Sequence, residues 1–242
     1  ETMGLVDGPG IRTVFFMQGR PLRCAYCHNP DSQTMFSKNR ITPEEVLKTA
    51  KRYKSYYKRS NGGVTFSGGE SLIQGEFLLE SLKLLKKGGI NTCLDTSGYG
   101  QEEYYKEILE YTDVVILDIK QFSHKEYKNL TGKSMNGFYT FLSYLNDFKG
   151  KIWIRHVMVP GFTDNEESMY KLFNNISHLC EKIERIEILP FHKMGIDKYE
   201  KLGRDYKLKN VPEMDLNKAK KYEEILSLLL EKEKIRVQKS II

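Results

Sequence analysis

Two cysteines, Cys24 and Cys27, have a spacing that predicts chemistry. The chain has four cysteines in 242 residues, too few for a disulfide scaffold, so a Cys-x2-Cys pair indicates metal or redox chemistry. A thiol–disulfide oxidoreductase is one alternative, but such a pair normally opens a helix, and Pro30 disfavours helical geometry at Asn29. A zinc site is weaker still, because no second close Cys or His pair stands at the usual spacing.

Further polar and glycine-rich groups recur along the chain, and each alone is a weak indication of function. A Gly-Gly pair is usually a turn, an Asp at a strand end often caps a helix, and a single Arg or His usually lies on the surface or serves a neighbouring group. The groups concerned are Gly68-Gly69-Glu70, Asp95-Thr96, Asp118-Ile119-Lys120, Arg155 and His192.

Short apolar or aromatic runs alternate with amphipathic segments, which predicts βα units and a parallel sheet. The predicted strands are Ile11–Met17, Gly63–Phe66, Ile90–Asp95, Val114–Ile119, Ile152–Val159 and Arg185–Pro190. The predicted helices are one that begins after Thr42, then Glu76–Lys87, Glu102–Tyr111, Phe138–Phe148, Glu166–Lys182 and Leu216–Lys234, with a last short strand at Ile235–Val237. The first helix has the clearest start, with Thr42 as N-cap, Pro43 in the first turn and Glu45 closing a capping box.

Six βα repeats form either a doubly wound open sheet or a partial barrel. A closed eight-stranded barrel takes about 250 residues, so six strands favour an incomplete (β/α)6 TIM-type barrel in a single domain, residues 1–242. In both folds the chemistry lies at the carboxyl ends of the strands. The polar groups named above, and the cysteine pair, all lie in or directly after predicted strands. This coincidence, rather than any one group, predicts a functional site.

Composition and charge exclude several classes of protein. With 40% hydrophobic and 29% charged residues the chain is not disordered, and no apolar run is long enough to span a membrane. The net charge of +6 is scattered, and its densest stretch, Lys51–Arg59, is interpreted as the last two turns of a helix rather than a nucleic-acid site. We expect a cytoplasmic protein with no nucleic-acid or membrane partner. Because the chain begins with Glu1, we expect that a few N-terminal residues are missing.

In the order of these groups the chain resembles the glycyl-radical-enzyme activating enzymes, a family of the radical S-adenosylmethionine superfamily. The similarity runs nearly from end to end. The matching segments are residues 6–12 (VDGPGIR), 26–31 (YCHNPD), 62–65 (GGVT), 67–70 (SGGE), 92–96 (TCLDT), 117–121 (LDIKQ), 153–155 (WIR), 159–161 (VPG) and 189–192 (LPFH).

In this family a Cys-x3-Cys-x2-Cys loop holds a 4Fe–4S cluster. The cluster reduces S-adenosylmethionine, and the resulting 5′-deoxyadenosyl radical takes a hydrogen from a backbone glycine of a partner enzyme. The resemblance therefore implies a radical S-adenosylmethionine oxidoreductase. It also implies that Cys24 and Cys27 are catalytic and are the second and third cluster ligands.

The resemblance also implies the contacts of S-adenosylmethionine. Gly68, Gly69 and Glu70 match the loop that receives the methionine amino group, where glycine permits close approach. On this interpretation, Gly69→Val weakens cofactor binding without unfolding the chain. The other implied contacts are Tyr26, Cys27 and His28 beside the adenine, Asp118, Ile119, Lys120 and Arg155 near the sugar and carboxylate, and His192 on the ribose or adenine.

Two further sites are implied by the resemblance. Three residues match a monovalent-cation site beside the cofactor carboxylate: Asp95, Thr96 and Asp118. Five belong to a segment that faces the glycyl loop of the partner: Asp7, Gly8, Pro9, Gly10 and Arg12. The implied partner is a glycyl-radical enzyme of the pyruvate formate-lyase type, because residues 28–67 contain no cysteine for the second cluster of larger relatives. Flavodoxin or ferredoxin is the implied electron donor.

Arg20 stands where the family has its first cluster cysteine. A guanidinium stays protonated and has no lone pair for iron, so the two remaining thiolates hold a cluster poorly. Cys93 and Cys180 lie away from the loop and are interpreted as structural thiols. The arginine is a substitution or sequence error in an intact enzyme, a deliberate inactivation, or the mark of a non-catalytic relative that binds the partner or S-adenosylmethionine. If the enzyme is otherwise intact, Arg20→Cys restores cluster assembly.

Overall fold

The structure is a computed structural model that describes residues 1–37 and 39–241. Its strands are β1 (Arg12–Met17), β2 (Gly63–Gly68), β3 (Asn91–Thr96), β4 (Val114–Asp118), β5 (Lys151–Met158) and β6 (Ile183–Pro190). They follow one another in chain order in a six-stranded sheet, and the strand pairings with a described register are parallel. The predicted α/β class, with the sequential parallel strands of a partial (β/α)6 barrel, is confirmed.

Nine α-helices are described in these residues. They are α1 (Pro43–Arg52), α2 (Lys54–Ser60), α3 (Gly75–Lys87), α4 (Tyr105–Glu110), α5 (His124–Thr131), α6 (Asn136–Tyr144), α7 (Glu166–Ile176), α8 (Ile196–Lys201) and α9 (Leu216–Ile241). Helix α1 begins as predicted, because Thr42 accepts the backbone N–H of Glu45 while the Glu45 carboxylate accepts the backbone N–H of Thr42 at 2.8 Å.

Several predicted boundaries are wrong. Ile235–Val237 is not a strand, because α9 continues to Ile241 and i,i+3 ion pairs join Glu231 to Lys234 and Glu233 to Arg236. The basic stretch Lys51–Arg59 does not end one helix, since α1 stops at Arg52 and α2 begins at Lys54. The helices predicted at residues 138–148 and 166–182 end early: α6 ends at residue 144, and α7 passes into a 3-10 helix at residue 177. Helices α5 and α8 were not predicted.

The chain divides into two compact units, and unit 1 consists of Glu1–Leu22, Ser32–Leu117 and Asn136–Lys151. In this unit β1 pairs with β2, β2 with β3 and β3 with β4. Strand β4 begins with a continuous apolar run, Val114–Leu117, as expected for a strand of a parallel sheet that is buried on both faces. Helix α3 buries Leu78, Leu82 and Leu85, as its apolar periodicity predicts.

Unit 2 consists of Arg23–Asp31, Asp118–Met135 and the chain from Ile152 onward. Here β5 pairs with β6 in parallel, and Ile152, Ile154 and Met158 are buried. Helix α9 packs on β6 and buries Leu226 and Leu230. Unit 2 holds the cysteine pair, whereas unit 1 holds the Gly68–Glu70 segment.

The prediction of one domain for residues 1–242 stays a prediction. None of the helices in the described part of the chain has both the length and the hydropathy needed to cross a bilayer.

Candidate functional site

The glycine-rich segment after β2 continues the pairing of β1 with β2 in unit 1. Met17 pairs with Gly68 at the last position of the register. Beyond it, the backbone N–H of Gly69 donates to the Met17 carbonyl at 2.7 Å, and that of Glu70 donates to the Gly19 carbonyl at 2.8 Å. Gly68 has φ +98°, a conformation that favours glycine. The loop is thus held against the end of β1 by its own backbone.

Arg20 folds back onto this loop. Its Nη2 donates to the carbonyl oxygen of Gly69 at 2.8 Å and also to the carbonyl oxygen of Gly68. Hydrogen bonds from a charged donor are stronger than those between neutral groups. The guanidinium at the predicted cluster position is therefore bound to the segment that was predicted to receive the methionine amino group.

Glu70 is a buried carboxylate, 2% exposed. One oxygen accepts the Thr96 hydroxyl at 2.5 Å, and the other accepts the backbone N–H and the hydroxyl of Ser97 at 2.9 and 2.6 Å. Burial raises the pKa of Glu70, while the hydrogen bonds and the charge of Arg20 act in the opposite direction. Glu70 thus ties the end of β2 to the end of β3.

The residues predicted for a monovalent cation already have partners within their own units. In unit 1, Asp95 accepts the Ser67 hydroxyl at 2.7 Å, and the Thr96 hydroxyl accepts the Gly98 N–H at 2.9 Å while donating to Glu70. In unit 2, Asp118 forms an ion pair with Lys120. The cation site stays a prediction.

The segment predicted to face a partner is anchored in unit 1 by Arg12, which is fully buried. The Arg12 guanidinium donates to Thr65 Oγ1 (2.6 Å), the Val64 carbonyl (2.7 Å), the Pro9 carbonyl (3.0 Å) and Asn91 Oδ1 (3.1 Å). Burial lowers the pKa of Arg12. Arg12 itself does not face outward, and a role of Asp7–Arg12 toward a partner stays a prediction.

In unit 2, Cys24 and Cys27 are buried and are not joined in a disulfide; they are 2% and 5% exposed. They lie in a turn in which the Cys27 N–H donates to the Cys24 carbonyl at 3.0 Å, and no helix begins at this pair. The N–H groups of Arg23 and Ala25 bond the carbonyls at the end of α5, at 2.7 and 2.8 Å. The turn lacks the helix N-terminus that lowers the pKa of a redox-active thiol.

Two buried tyrosines, Tyr199 and Tyr206, lie beside the cysteines. Their rings pack edge to face at 5.0 Å. Burial raises the pKa of Tyr199 to about 12, and the charges of Cys27 and Cys24 act in the same direction. Burial also raises the pKa of Tyr206. These residues place aromatic bulk next to the thiols, and the sequence analysis did not identify them.

Three predicted cofactor-binding residues meet in unit 2. Lys120 Nζ lies 5.7 Å from the centroid of the Tyr26 ring and forms an ion pair with Asp118 Oδ2. The Lys120 side chain is 5% exposed. Asp118 Oδ1 is buried and has no hydrogen-bond partner among the described residues. A buried carboxylate oxygen without a partner fits a site for an absent polar ligand.

The Asp118–Lys120 segment is fixed by β5. The Ile119 N–H donates to the Arg155 carbonyl at 2.8 Å, and the Ile119 carbonyl accepts His156 Nδ1–H at 2.7 Å. His156 is fully buried, and burial lowers its pKa to about 4, so the ring is neutral. Arg155 pairs with Glu187 at 3.0 Å. The predicted residue Arg155 therefore has a carboxylate partner in its own unit.

His28 and His192 are also brought together. Their rings stack at 4.0 Å, and His28 Nε2 donates to the His192 carbonyl at 2.9 Å. Burial lowers the pKa of His28. His192 Nδ1 is buried and has no hydrogen-bond partner among the described residues. This stack joins the cysteine segment to the end of β6.

The residues present do not fit a 4Fe–4S cluster. Such a cluster is held by Cys thiolates, and the loop offers two. Among the described residues, no three His, Cys, Asp or Glu side chains are placed to hold a metal ion. Cys93 is buried within β3 in unit 1, and Cys180 is buried in the 3-10 helix Ser177–Lys182 in unit 2. Neither replaces the missing thiolate of the loop.

Five residues of the site were missed by the sequence analysis. Ser97 and His156 directly follow predicted residues, and their polar side chains in or after a strand were a signal. Glu187, Tyr199 and Tyr206 had no signal in their spacing, because the predicted site residues beside them, Arg155 for Glu187 and Cys27 for the tyrosines, lie 32 residues or more away along the chain.

The comparisons with known proteins identify the family of the chain. The model of the Radical SAM superfamily matches residues 14–173. A pyruvate formate-lyase-activating enzyme of Clostridium pasteurianum is 53% identical over 231 residues, 96% of this chain and 96% of that protein. One of Staphylococcus epidermidis is 42% identical over 222 residues, 89% of this chain and 88% of that protein. The chain belongs to the radical SAM superfamily and, within it, to the family of these activating enzymes.

Solved structures show the same fold. A radical SAM methyltransferase from Sphaerobacter thermophilus matches with a TM-score of 0.61 at 13% identity, over 90% of this chain and 64% of that one. A domain of a pyruvate-formate lyase-activating enzyme from Bacteroides vulgatus matches with a TM-score of 0.55 at 20% identity, over 69% of this chain and 93% of that one. The family consists of oxidoreductases that use a 4Fe–4S cluster and S-adenosylmethionine.

We expect Gly69→Ala to destabilise unit 1. A Cβ atom at Gly69 lies 2.1 Å from the Gly19 carbonyl oxygen and 3.0 Å from that of Met17, so the backbone of β1 must shift. The expectation that a side chain here leaves the fold intact is therefore wrong. The predicted loss is about 2 kcal/mol or more in the free energy of unfolding, measured by urea denaturation.

Gly88→Ala is the matched control for this variant. Its Cβ first meets Leu47 Cδ1 at 3.0 Å, the end of a flexible side chain that can move. Equal stability losses in the two variants would contradict the assignment of Gly69 to a backbone contact.

Proposed function

We propose that the chain is the scaffold of an activating enzyme that binds S-adenosylmethionine and a glycyl-radical enzyme of the pyruvate formate-lyase type. The observation that carries the proposal is 53% identity over 96% of the chain to an activating enzyme of that name. The segment Asp7–Arg12 is the proposed partner-facing element, with Arg12 fixing its base to β2 and β3.

The proposed binding of S-adenosylmethionine is supported by buried polar atoms that lack protein partners. Asp118 Oδ1 and His192 Nδ1 are two such atoms among the described residues, and both belong to predicted cofactor contacts. In unit 2, Tyr26, His28, Lys120 and Arg155 supply aromatic surface and positive charge. In unit 1, the proposed contribution is that of Gly68, Gly69 and Glu70. S-adenosylmethionine supplies a sulfonium whose cleavage yields the radical of this family.

The radical step itself is not assigned to the chain with Arg20 in place. Cys24 and Cys27 are two of the three thiolates that the family uses, and Arg20 is bound to backbone carbonyls instead. The proposed electron donor, flavodoxin or ferredoxin, has a role only once a cluster is present. Cytoplasmic location is part of the same proposal.

A second candidate function is that of a non-catalytic relative that binds the partner or S-adenosylmethionine without radical chemistry. Arg20 and its bonds to Gly68 and Gly69 are the observation that favours it. The thiol–disulfide alternative loses support, because the buried Cys24–Cys27 turn has no helix N-terminus to activate a thiol.

The test is the formation of a glycyl radical in pyruvate formate-lyase. The unchanged chain and Arg20→Cys are reconstituted anaerobically with iron and sulfide, reduced, and mixed with S-adenosylmethionine and pyruvate formate-lyase. Electron paramagnetic resonance is expected to detect a glycyl radical with the cysteine variant and none with the unchanged chain. A partner whose radical-bearing glycine is replaced by alanine is the control. If the cysteine variant assembles its cluster yet yields no radical on the partner, the proposed activity is wrong.

A further inference from the structure

One basic segment of unit 1 has no role in the proposed function. Residues 46–69 contain six lysines and arginines and neither aspartate nor glutamate. The stretch Lys51–Arg59 within it was predicted to close a single helix, whose carboxyl end favours cations. In the structure this stretch spans the end of α1 and most of α2, and Lys54 opens α2. The segment therefore carries a positive charge that no acidic residue within it balances.

A cavity of about 350 Å³ in unit 1 adjoins this segment. It lies at the amino ends of β2 and β3, which begin at residues 63 and 91. None of the described residues that line it is acidic, and its polar side chains are those of Lys54, Tyr57, Lys58, Asn61 and Asn91. The loop Gly68–Glu70 lies at the opposite end of β2. The cavity is therefore separate from that loop.

Both lysines of the cavity have N–H donors to offer to a ligand, since an ammonium group has three. The Lys54 ammonium uses one of them on the Gly88 carbonyl, at 2.7 Å, at the end of α3. Lys58 is exposed, and in the described part of the chain no carboxylate forms an ion pair with either lysine. An anion in the cavity can therefore bind both ammonium groups without breaking an ion pair of the protein.

Asn91 links the cavity to a buried positive charge. Its Oδ1 accepts Nη1 and Nη2 of Arg12, both at 3.1 Å. Arg12 is fully buried and protonated, and each acceptor that it bonds among the described residues is neutral. Because Oδ1 binds the guanidinium, the Nδ2 group lies on the other side of the same carboxamide, and Asn91 lines the cavity. The buried charge thus polarises an N–H donor of a cavity lining.

We propose that this cavity binds a phosphate-bearing small molecule, whose phosphate oxygens accept N–H donors of Lys54, Lys58 and Asn91. Phosphate suits this donor set because ammonium groups bind it as point charges and a carboxamide donates to its oxygens. The volume, about 350 Å³, is that of a small-molecule pocket. The proposal is independent of the proposed function, since it uses none of the residues proposed to bind S-adenosylmethionine.

The first experiment measures the binding of inorganic pyrophosphate to the full chain by calorimetry at constant ionic strength. We expect saturable binding, weakened about fivefold by Lys58→Ala, the effect of one exposed ion pair. Lys51→Ala is the matched control, because it removes an exposed lysine of the same segment that does not line the cavity. We expect it to leave the Kd unchanged. No binding to the unchanged chain, or equal losses in the two variants, overturns the site.

The second variant, Asn91→Asp, separates binding from stability. A carboxylate keeps an acceptor for Arg12 and gives the buried guanidinium an anionic partner, so we expect a Tm no lower than that of the unchanged chain. The same change replaces the Nδ2 donor by a negative oxygen, so pyrophosphate affinity falls by more than about tenfold. A merely structural residue would lose stability along with binding. Undiminished pyrophosphate binding by folded Asn91→Asp overturns the site, and if this variant does not fold, Lys58→Ala against Lys51→Ala decides.

A short single-stranded DNA tests the other source of phosphate groups. Nucleic acid contacts an extended basic surface through its backbone, so its affinity would fall equally in Lys51→Ala and Lys58→Ala. If the DNA binds in this way and pyrophosphate does not bind, the segment is a nucleic-acid surface and the small-molecule site is wrong. Pyrophosphate binding that depends on Lys58 and Asn91 but not on Lys51 upholds the site.

Discussion

Replacing Arg20 by cysteine is expected to raise the iron content of the anaerobically reconstituted protein from near zero to about four per chain. The reason is that Cys24 and Cys27 are already held in one buried turn, in which the N–H groups of Arg23 and Ala25 bond the carbonyls of residues 131 and 130. A cysteine at residue 20 restores the Cys-x3-Cys-x2-Cys spacing of the family in the sequence. Iron analysis and the electron paramagnetic resonance spectrum of the reduced protein measure the result.

The substitution changes two things at once, and a matched control separates them. It adds a thiolate, and it removes a guanidinium from the carbonyls of Gly68 and Gly69. Arg20→Ser also removes the guanidinium, and serine is close in size to cysteine, but a hydroxyl is a poor ligand for iron. Cluster assembly in the cysteine variant alone assigns the gain to the thiolate.

Two outcomes would contradict this interpretation of residue 20. If the unchanged chain and the serine variant take up as much iron as the cysteine variant, another group completes the cluster. If all three proteins stay free of iron, the defect of the site lies elsewhere than at residue 20.

Arg12→Met is expected to lower the free energy of unfolding by about 3–5 kcal/mol, an exceptionally large effect for one residue. The guanidinium is fully buried and bonds the Pro9 carbonyl, β2 through Val64 and Thr65, and β3 through Asn91. Methionine fills much of the volume, but it leaves those buried acceptors without donors. The cost of stranding them exceeds any gain in apolar contact.

Equilibrium unfolding in urea gives the magnitude, and two variants give the controls. Arg59→Met makes the same chemical change at an exposed position on α2 and is expected to change stability by no more than about 0.5 kcal/mol. Arg12→Lys keeps the charge but not the planar fork, so an intermediate loss is expected. A loss below about 1 kcal/mol for Arg12→Met would show that the acceptors find other partners.

The strands and most helices could be predicted from the sequence because they rest on local properties. Apolar runs such as Val114–Leu117 are buried on both faces of the sheet, and the run itself carries that information. The capping box at Thr42 and Glu45 likewise depends on only four consecutive residues. The local rule failed at Ile235–Val237, where β-branched residues continue α9, because ion pairs and the packing of α9 on β6 outweigh propensity.

The sequence also predicted which residues belong to the candidate site. Glycine, carboxylate, cysteine and histidine groups recur at the strand ends, where parallel sheets place their chemistry, and their order alone pointed to the family. The match to the Radical SAM superfamily over residues 14–173 confirms the family. The individual roles of these residues stay predictions.

Only the tertiary structure decided what several of these side chains contact. Arg12 belongs to a motif predicted to face a partner, yet its side chain is buried. It hydrogen-bonds to Thr65 and Asn91, which lie 53 and 79 residues away along the chain. Gly69 is required by the backbone of Gly19, whose carbonyl oxygen leaves no room for a Cβ atom. Arg20 occupies the sequence position of a cluster ligand, but its side chain hydrogen-bonds to the carbonyl oxygens of Gly68 and Gly69. A motif records which residue types occur together, whereas hydrogen bonds and close packing depend on segments that folding alone brings within reach.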